Sequence, residues 1–255
     1  MLLNGEMVID DNSPVPADQP TGLKLAFRTT PFGAIEGAPA FPSEMLVPQS
    51  EWEARIKDMA DSKSRLSDIC DQAGLKCKDQ GQTNYCWANA PTHCIEILRC
   101  VQNQNMVSLS PASVAAVIKN YQNVGGWGEE ALRFIVDNGA VPTSMWPDNA
   151  IERKYDTAET KEVRKLYRVT EWWELRPRTV SELISCLINR IPVAVGYNWW
   201  GHEVTAVDPV WVNGAIGIRI RNSWGMVWGS KGYATLTGQR MLPDDAVSPR
   251  VAVAS

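Results

Sequence analysis

The chain has 255 residues, 44% of them hydrophobic and 21% charged, with a net charge of −4. That is enough for one or two domains with a sizeable core, and the lack of a Lys/Arg stripe argues against a nucleic-acid partner. No apolar run approaches the ~20 residues of a membrane helix, and the start, "MLLNGEMVIDDNSPVPADQP", has no basic leader region, so neither a membrane span nor a secretory signal is expected.

Residues 1 to about 50 repeat Pro ("SPVP", "ADQP", "TTPFG", "GAPAFPSEMLVP") with little periodicity, and read as an extended arm without its own core. "SEWEARIKDMADSKSRL" follows as a charged helix from Ser50 to Leu66, with Ser50 as N-cap and Glu53 three residues on. Arm and helix together make a first unit, residues 1–65. "CWANAPTHCIEILRCVQ" predicts a helix with an apolar stripe of Ile95, Leu98 and Val101, kinked or delayed by Pro91. Ser110 and Pro111 signal another helix start, "GEEALRFIVDNGA" an amphipathic helix stopping at Gly139, and "SELISCLINR" a short helix before Pro192. Beyond that point "PVAVGYNWW", "EVTAVDPVWV", "IGIRIRNSW" and "KGYATLT" are short β-rich runs separated by Gly, Asn and Pro. Helices first and strands last predict an α+β domain of two packed lobes over residues 66–239, with residues 240–255 as an aperiodic tail.

The six cysteines contain no CxxC pair and the chain has only two histidines, so neither a zinc cluster nor any other metal or cofactor is expected. Most of these cysteines read as buried, reduced small hydrophobes. Cys86 differs, because it stands at a predicted helix start, where unpaired N–H groups and the helix dipole favour a thiolate. An imidazole that takes the thiol proton must be His93 or His202. His93 is seven residues along the same helix, roughly 10 Å away at ~1.5 Å per residue, and is expected at the helix surface or core edge. His202, in "WWGHEVTAV", enters a β run that can deliver it to a cleft facing Cys86. Asn222, at the end of "RIRN", can accept from one ring N–H and fix the tautomer, with Trp224 shielding that bond. Gln80, six residues before the thiol, can donate to a developing oxyanion together with the Cys86 amide.

In this order, Gln, Cys, His, Asn, the residues resemble a known family. "DQGQTNYCWA" resembles the active-site segment of papain-like cysteine peptidases, "GHEVTAV" their His strand, and "RNSWGMVWGSKGYATL" their Asn-Ser-Trp-Gly segment; the resemblance runs over about residues 66 to 237. It implies a helical left lobe and a β-rich right lobe with the active site in the cleft between them. By the same resemblance Cys86 is the nucleophile, His202 the general acid/base, Asn222 its orienter and Gln80 part of the oxyanion hole. Trp224 and Trp228 pack beside the site, Gly125 and Gly126 present backbone to an extended substrate, and Trp127 flanks the pocket two residues before the scissile bond.

The chain departs from that pattern. Thr83 and Asn123 replace two cysteines that the family bridges, and both halves are lost together, which is coherent with a reducing compartment. Tyr85 stands next to the thiol and is expected to narrow the cleft. Residues 1–65 stand where the family carries an inhibitory propeptide, though they are short for one and lack its usual long-helix motif, and they are read either as propeptide-like, with the charged helix over the cleft, or as an assembly arm. The resemblance implies a thiol endopeptidase acting on peptides or proteins. The alternative expectation is an assembly or virion-associated protein that uses the same fold, docked to a larger particle through its Pro-rich arm. The expected location is accordingly cytoplasmic or within such a particle.

Overall fold

The computed structural model describes residues 2–3, 5–24, 39–212 and 214–253. Two short edge strands, β1 (Leu2–Leu3) and β2 (Glu6–Ile9), come first, and after the arm lie helices α1 (Trp52–Asp61) and α2 (Leu66–Gln72). The helical lobe follows: α3 (Cys86–Val101), α4 (Ala112–Ile118), α5 (Gly128–Asp137) and the short α6 (Ala158–Val163). Strand β3 (Val169–Glu174) and helix α7 (Val180–Ile188) lead to β4 (Val193–Tyr197), β5 (His202–Val212), β6 (Ala215–Arg221), β7 (Tyr233–Leu236) and β8 (Asp245–Ala252).

The strands form one sheet in the order β1-β2-β7-β6-β5-β4-β8-β3. One face packs on α3, while α1 and α7 cover β5 from the sheet lobe's own core. On its far side α3 meets α4 and α5, where Trp87, Ile95, Leu109, Val114, Ile135 and Trp146 make a second core. Helix α3 is therefore buried almost all round, as its run of Ala, Ile, Leu and Cys dictates. It begins at Cys86 itself and runs unbroken through Pro91.

Several expectations are corrected. The charged helix is shorter than Ser50 to Leu66. Gln49–Glu51 coil into a 3-10 turn, so Ser50 caps nothing, and Lys63, at φ 51°, turns the chain before α2 begins. The first residues are not a free arm: β2 adds to the sheet edge, parallel to β7, with Val8 opposite Thr235 and Ile9 opposite Leu236. The stretch "TTPFG" lies outside the described residues. The C-terminal stretch set apart as a tail contains β8, an interior strand between β4 and β3. Its Pro249 is tolerated because β4 pairs only with residues 245–247, leaving one side of the strand's end unpaired by β4. Among the described residues no helix is long and apolar enough to cross a membrane.

Candidate active site

Cys86 is the first residue of α3 and has no exposed surface. The loop before it is fixed by the chain's other end: the Gln80 amide donates to Ser223 O (2.9 Å), the Gly225 amide to Lys78 O (2.9 Å), and Asp79 bridges Trp224. This cross-link between loops distant in sequence places the helix N-terminus and its dipole beside the Asn222 segment.

His202 opens β5. Its Nε2 lies 2.7 Å from Asn222 Oδ1, and the Ser223 backbone N–H donates to the same oxygen at 2.7 Å. An oxygen that accepts from Ser223 N–H is also the acceptor toward the ring, so Nε2 carries the proton and Nδ1 keeps its lone pair. Among the described residues Nδ1 has no hydrogen-bond partner. Trp200 and Trp224 enclose the ring at centroid distances of 4.8 and 4.7 Å. Burial among them pushes the imidazole down to about 4, only partly opposed by Asn222.

Gln80 is fully buried, and its Oε1 accepts from Ser223 Oγ (2.6 Å). That bond fixes the amide's orientation and turns Nε2 outward as a donor. Nε2 donates to Thr83 O (2.8 Å) and to Pro20 O (2.9 Å), so a carbonyl of the N-terminal arm occupies the donor expected for an oxyanion.

The arm in fact runs through the cleft. Gly22 O accepts from the Gly126 amide (3.0 Å), the Lys24 amide donates to Gly126 O (2.9 Å), and Leu23 thereby forms a parallel bridge with Gly126. Leu23 N–H donates to Gly201 O (3.1 Å), Trp200 Nε1 to Pro16 O (3.0 Å), and Lys24 Nζ lies 4.9 Å above the Trp127 ring. The fit is backbone against backbone: a Cβ on Gly22 would come 2.1 Å from Asn84 O, one on Gly125 would come 2.3 Å from Gly22 O, and one on Gly126 would come 2.6 Å from the Trp87 ring. Glycine is required here for close approach.

Under this cover burial dominates at the thiol as well. Burial raises the Cys86 thiol well above its ordinary value, the nearby Glu203 carboxyl adds to that, and the amides of Glu203, Trp87 and Leu23 offset only part. Glu203 is a residue that sequence reasoning missed. It is 1% exposed, and burial followed by the field of Asp245, offset only in part by the Gly128 amide, raises it far above a normal carboxylate. An acid in an apolar strand, directly after the histidine of "GHEVTAV", was the available signal.

Two other expectations change. Tyr85 does not narrow the cleft: it is fully buried in the helical lobe, donates its OH to Gln122 O (2.7 Å) and meets Trp87 edge-on. His93 is a core residue, 2% exposed, with Nδ1 2.9 Å from Glu96. Glu96 also pairs with Lys78 (2.6 Å); burial alone would raise its carboxyl, but Lys78 and His93 outweigh it. Burial pushes His93 down to about 4, which leaves it a structural link.

At the position of the absent bridge, Asn123 ties the same two loops without sulfur. Its Oδ1 accepts from the Asn84 amide (2.6 Å) and its Nδ2 donates to Gln82 O (3.1 Å), while all six cysteines are free. At about 0.5–1.5 kcal/mol net per hydrogen bond, Asn123→Ala is expected to cost about 1–2 kcal/mol, read as a lower urea midpoint with an unchanged slope. A midpoint equal to that of the parent would show that these bonds do not hold the loops.

Residues 67–207 match the family model described as papain family cysteine protease. The oryzain beta chain of Oryza sativa is 27% identical over 62% of this chain and 39% of its own length. Cathepsin L 2 of Paramecium tetraurelia is 28% identical over 63% of this chain and 55% of its own. The chain thus spans about half the length, or less, of these curated relatives. Among solved structures, the bromelain protease of Ananas comosus, in complex with the E64 inhibitor, superposes with a TM-score of 0.61 at 21% identity, covering 75% of this chain and 98% of that one. Procathepsin L 3 of Tenebrio molitor gives 0.61 at 22% identity over 69% and 66%. These structures share the two-lobed α+β fold.

Proposed function

The chain belongs to the papain family of cysteine proteases, and on that premise we propose that it is a thiol-dependent endopeptidase whose cleft its own N-terminal arm covers. Cys86 Sγ, deprotonated by His202 Nδ1, attacks a peptide carbonyl carbon. The oxyanion that forms accepts from Gln80 Nε2 and the Cys86 backbone amide. The imidazolium then protonates the departing amine, leaving an acyl-enzyme, and the ring next takes a proton from the water that resolves it. Asn222 keeps Nε2–H engaged throughout, so that Nδ1 stays the working nitrogen. Gly125 and Gly126 hold the substrate backbone, with Trp127 and Trp224 beside it.

The observation that supports this reading is the path of the arm: Pro20 O accepts from Gln80 Nε2, and the Leu23 amide reaches the buried thiol of Cys86 at the start of α3. A peptide carbonyl accepting from Gln80 Nε2 is the kind of group that donor would serve in catalysis. The arm is not consumed there, because a thiol and an imidazole that are both neutral in a dry site supply no thiolate. The test uses Gly22→Val protein, in which the arm cannot seat. Treatment with an epoxysuccinyl probe, followed by peptide mapping, is expected to place the adduct on Cys86. An adduct on the half-buried Cys77 or Cys100 instead, with no cleavage of an unfolded protein substrate, would overturn the reading.

A further inference from the structure

Away from the cleft, Arg221 on β6 is 3% exposed, and no carboxylate among the described residues pairs with it. Its Nη2 donates to Leu75 O, while Nε and Nη1 have no hydrogen-bond partner among those residues. The Cys70 and Cys77 thiols approach the guanidinium, but burial pushes Cys70 up to about 12 and raises Cys77 as well. Both thiols therefore stay neutral and offset none of its charge. Arg219 lies two residues back on the same face of β6, and Tyr233 stands opposite Arg221 on β7. The two guanidiniums share the Tyr233 ring, with Cζ atoms 4.4 and 5.1 Å from its centroid. Arg219 is answered by Glu6 (2.6 Å) and bonds Ser67 Oγ (3.0 Å). Arg221 has no such acid, and the buried Tyr233 OH has no partner among the described residues either.

Arg221 and Tyr233 line a cavity of about 1400 Å³ beside β6 and β7. Its cations are Lys76, Arg219, Arg221 and Lys231 and its acids are Glu6 and Asp71, an excess of two positive charges. Lys76 and Lys231 line it from the solvent side, both exposed. A buried cation without a counter-charge is costly, whereas an oxyanion satisfies several donors at once. The excess of two charges matches a dianion. Three free donors, Arg221 Nε and Nη1 and Tyr233 OH, suit a tetrahedral group with several oxygens better than a planar carboxylate with two. We propose that this cavity binds the phosphoryl dianion of a small molecule, inorganic phosphate or a phosphomonoester, on Arg221 and Tyr233, with Lys76 and Lys231 at its rim. The site includes neither Cys86 nor His202, and it stands whether or not the peptidase reading does.

Titration calorimetry of the full chain tests this at ~pH 8, where a phosphoryl group carries close to two charges, with ionic strength held constant by chloride. Inorganic phosphate and glycerol phosphate are the two probes. Saturable binding to one site is expected from at least one of them. Affinity should fall at least about tenfold with Tyr233→Phe, which removes one donor and keeps the ring, and again with Lys76→Gln combined with Lys231→Gln. Arg221→Met should abolish binding while leaving the urea midpoint in phosphate-free buffer close to the parent's, because the charge it removes has no acid to lose. If that variant fails to fold, the tyrosine and lysine variants decide. Cys86→Ala should bind as the parent does. Tighter binding of glycerol phosphate assigns the site to a phosphomonoester, and equal or tighter binding of inorganic phosphate assigns it to the free ion. No saturable binding of either probe, or the same affinity in the tyrosine and lysine variants as in the parent, would overturn the proposal.

Discussion

Gly22→Val is expected to raise the rate of Cys86 alkylation in native protein by at least about 10²-fold. The added side chain would begin 2.1 Å from Asn84 O, a backbone atom in the loop that leads into α3, and backbone there cannot retreat without disturbing the helix start. The arm must move instead. Its docking depends on a handful of hydrogen bonds, at Pro16, Pro20, Gly22, Leu23 and Lys24, each worth about 0.5–1.5 kcal/mol net, and on the burial of one leucine, worth about 1.5–3 kcal/mol. Against this stands about 1–2 kcal/mol of backbone ordering for each residue held extended. The closed state is therefore held by a narrow margin, and 10² in rate corresponds to a loss of only about 2.8 kcal/mol at ~1.4 kcal/mol per tenfold. Unfolding is not the expected outcome, since β2 enters the sheet before the cleft and keeps Val8 and Ile9 buried against it. Retained near-ultraviolet dichroism, together with new proteolytic sensitivity confined to the arm, would report this local release. A folded variant whose Cys86 labels no faster than the parent's would show that the arm does not guard the thiol.

That route of the arm was the part least legible in the sequence. Gln80, Cys86, His202 and Asn222 each lie in a short local pattern whose chemistry can be read residue by residue, and the structure brings Gln80 and His202 to the Asn222–Ser223 turn. Helix α5 and strands β4 to β7 were visible for a similar reason: their apolar period and their bounding Gly and Pro are local. The bridge between Leu23 and Gly126 joins residues a hundred positions apart through backbone atoms alone, and no side-chain pattern encodes it. Strand β3, "VTEWWE", hides its period because two adjacent tryptophans and the last glutamate are all buried. Strand β8 is obscured by Asp245, Ser248 and Pro249, residues that avoid regular strands unless the pairing around them is already arranged. Glu203 was passed over for a related reason: what raises its carboxyl is burial and Asp245 on another strand, not its own segment.

In the arm-released protein, His202→Ala is expected to lower kcat/KM for peptide hydrolysis by at least about 10³-fold, because one ring serves as base in acylation and as acid toward the leaving amine. The pH dependence separates this role from simple support. In the covered site burial dominates both groups, driving the thiol up and the imidazole down to about 4, and each shift favours the neutral form. Removing the arm lets water in, and the desolvation that opposed charge on both partners is withdrawn. The helix N-terminus then favours the thiolate, and Asn222 favours the charged ring, since its oxygen already accepts from Nε2–H. Both changes act in one direction: the thiol falls, the imidazole rises, and the proton moves from Sγ to Nδ1. Alkylation of Cys86 in Gly22→Val protein should therefore be half-maximal at a pH well below the ~8.5 of an unperturbed thiol, and His202→Ala should return the midpoint to about that value or above it. Asn222→Ala should leave the thiol reactive but weaken its hold on the proton partner, giving an intermediate midpoint. If the profile of the arm-released protein already rises only near pH 8.5, and is the same with and without the imidazole, then residue 202 does not ionise the sulfur and the proposed chemistry has no base.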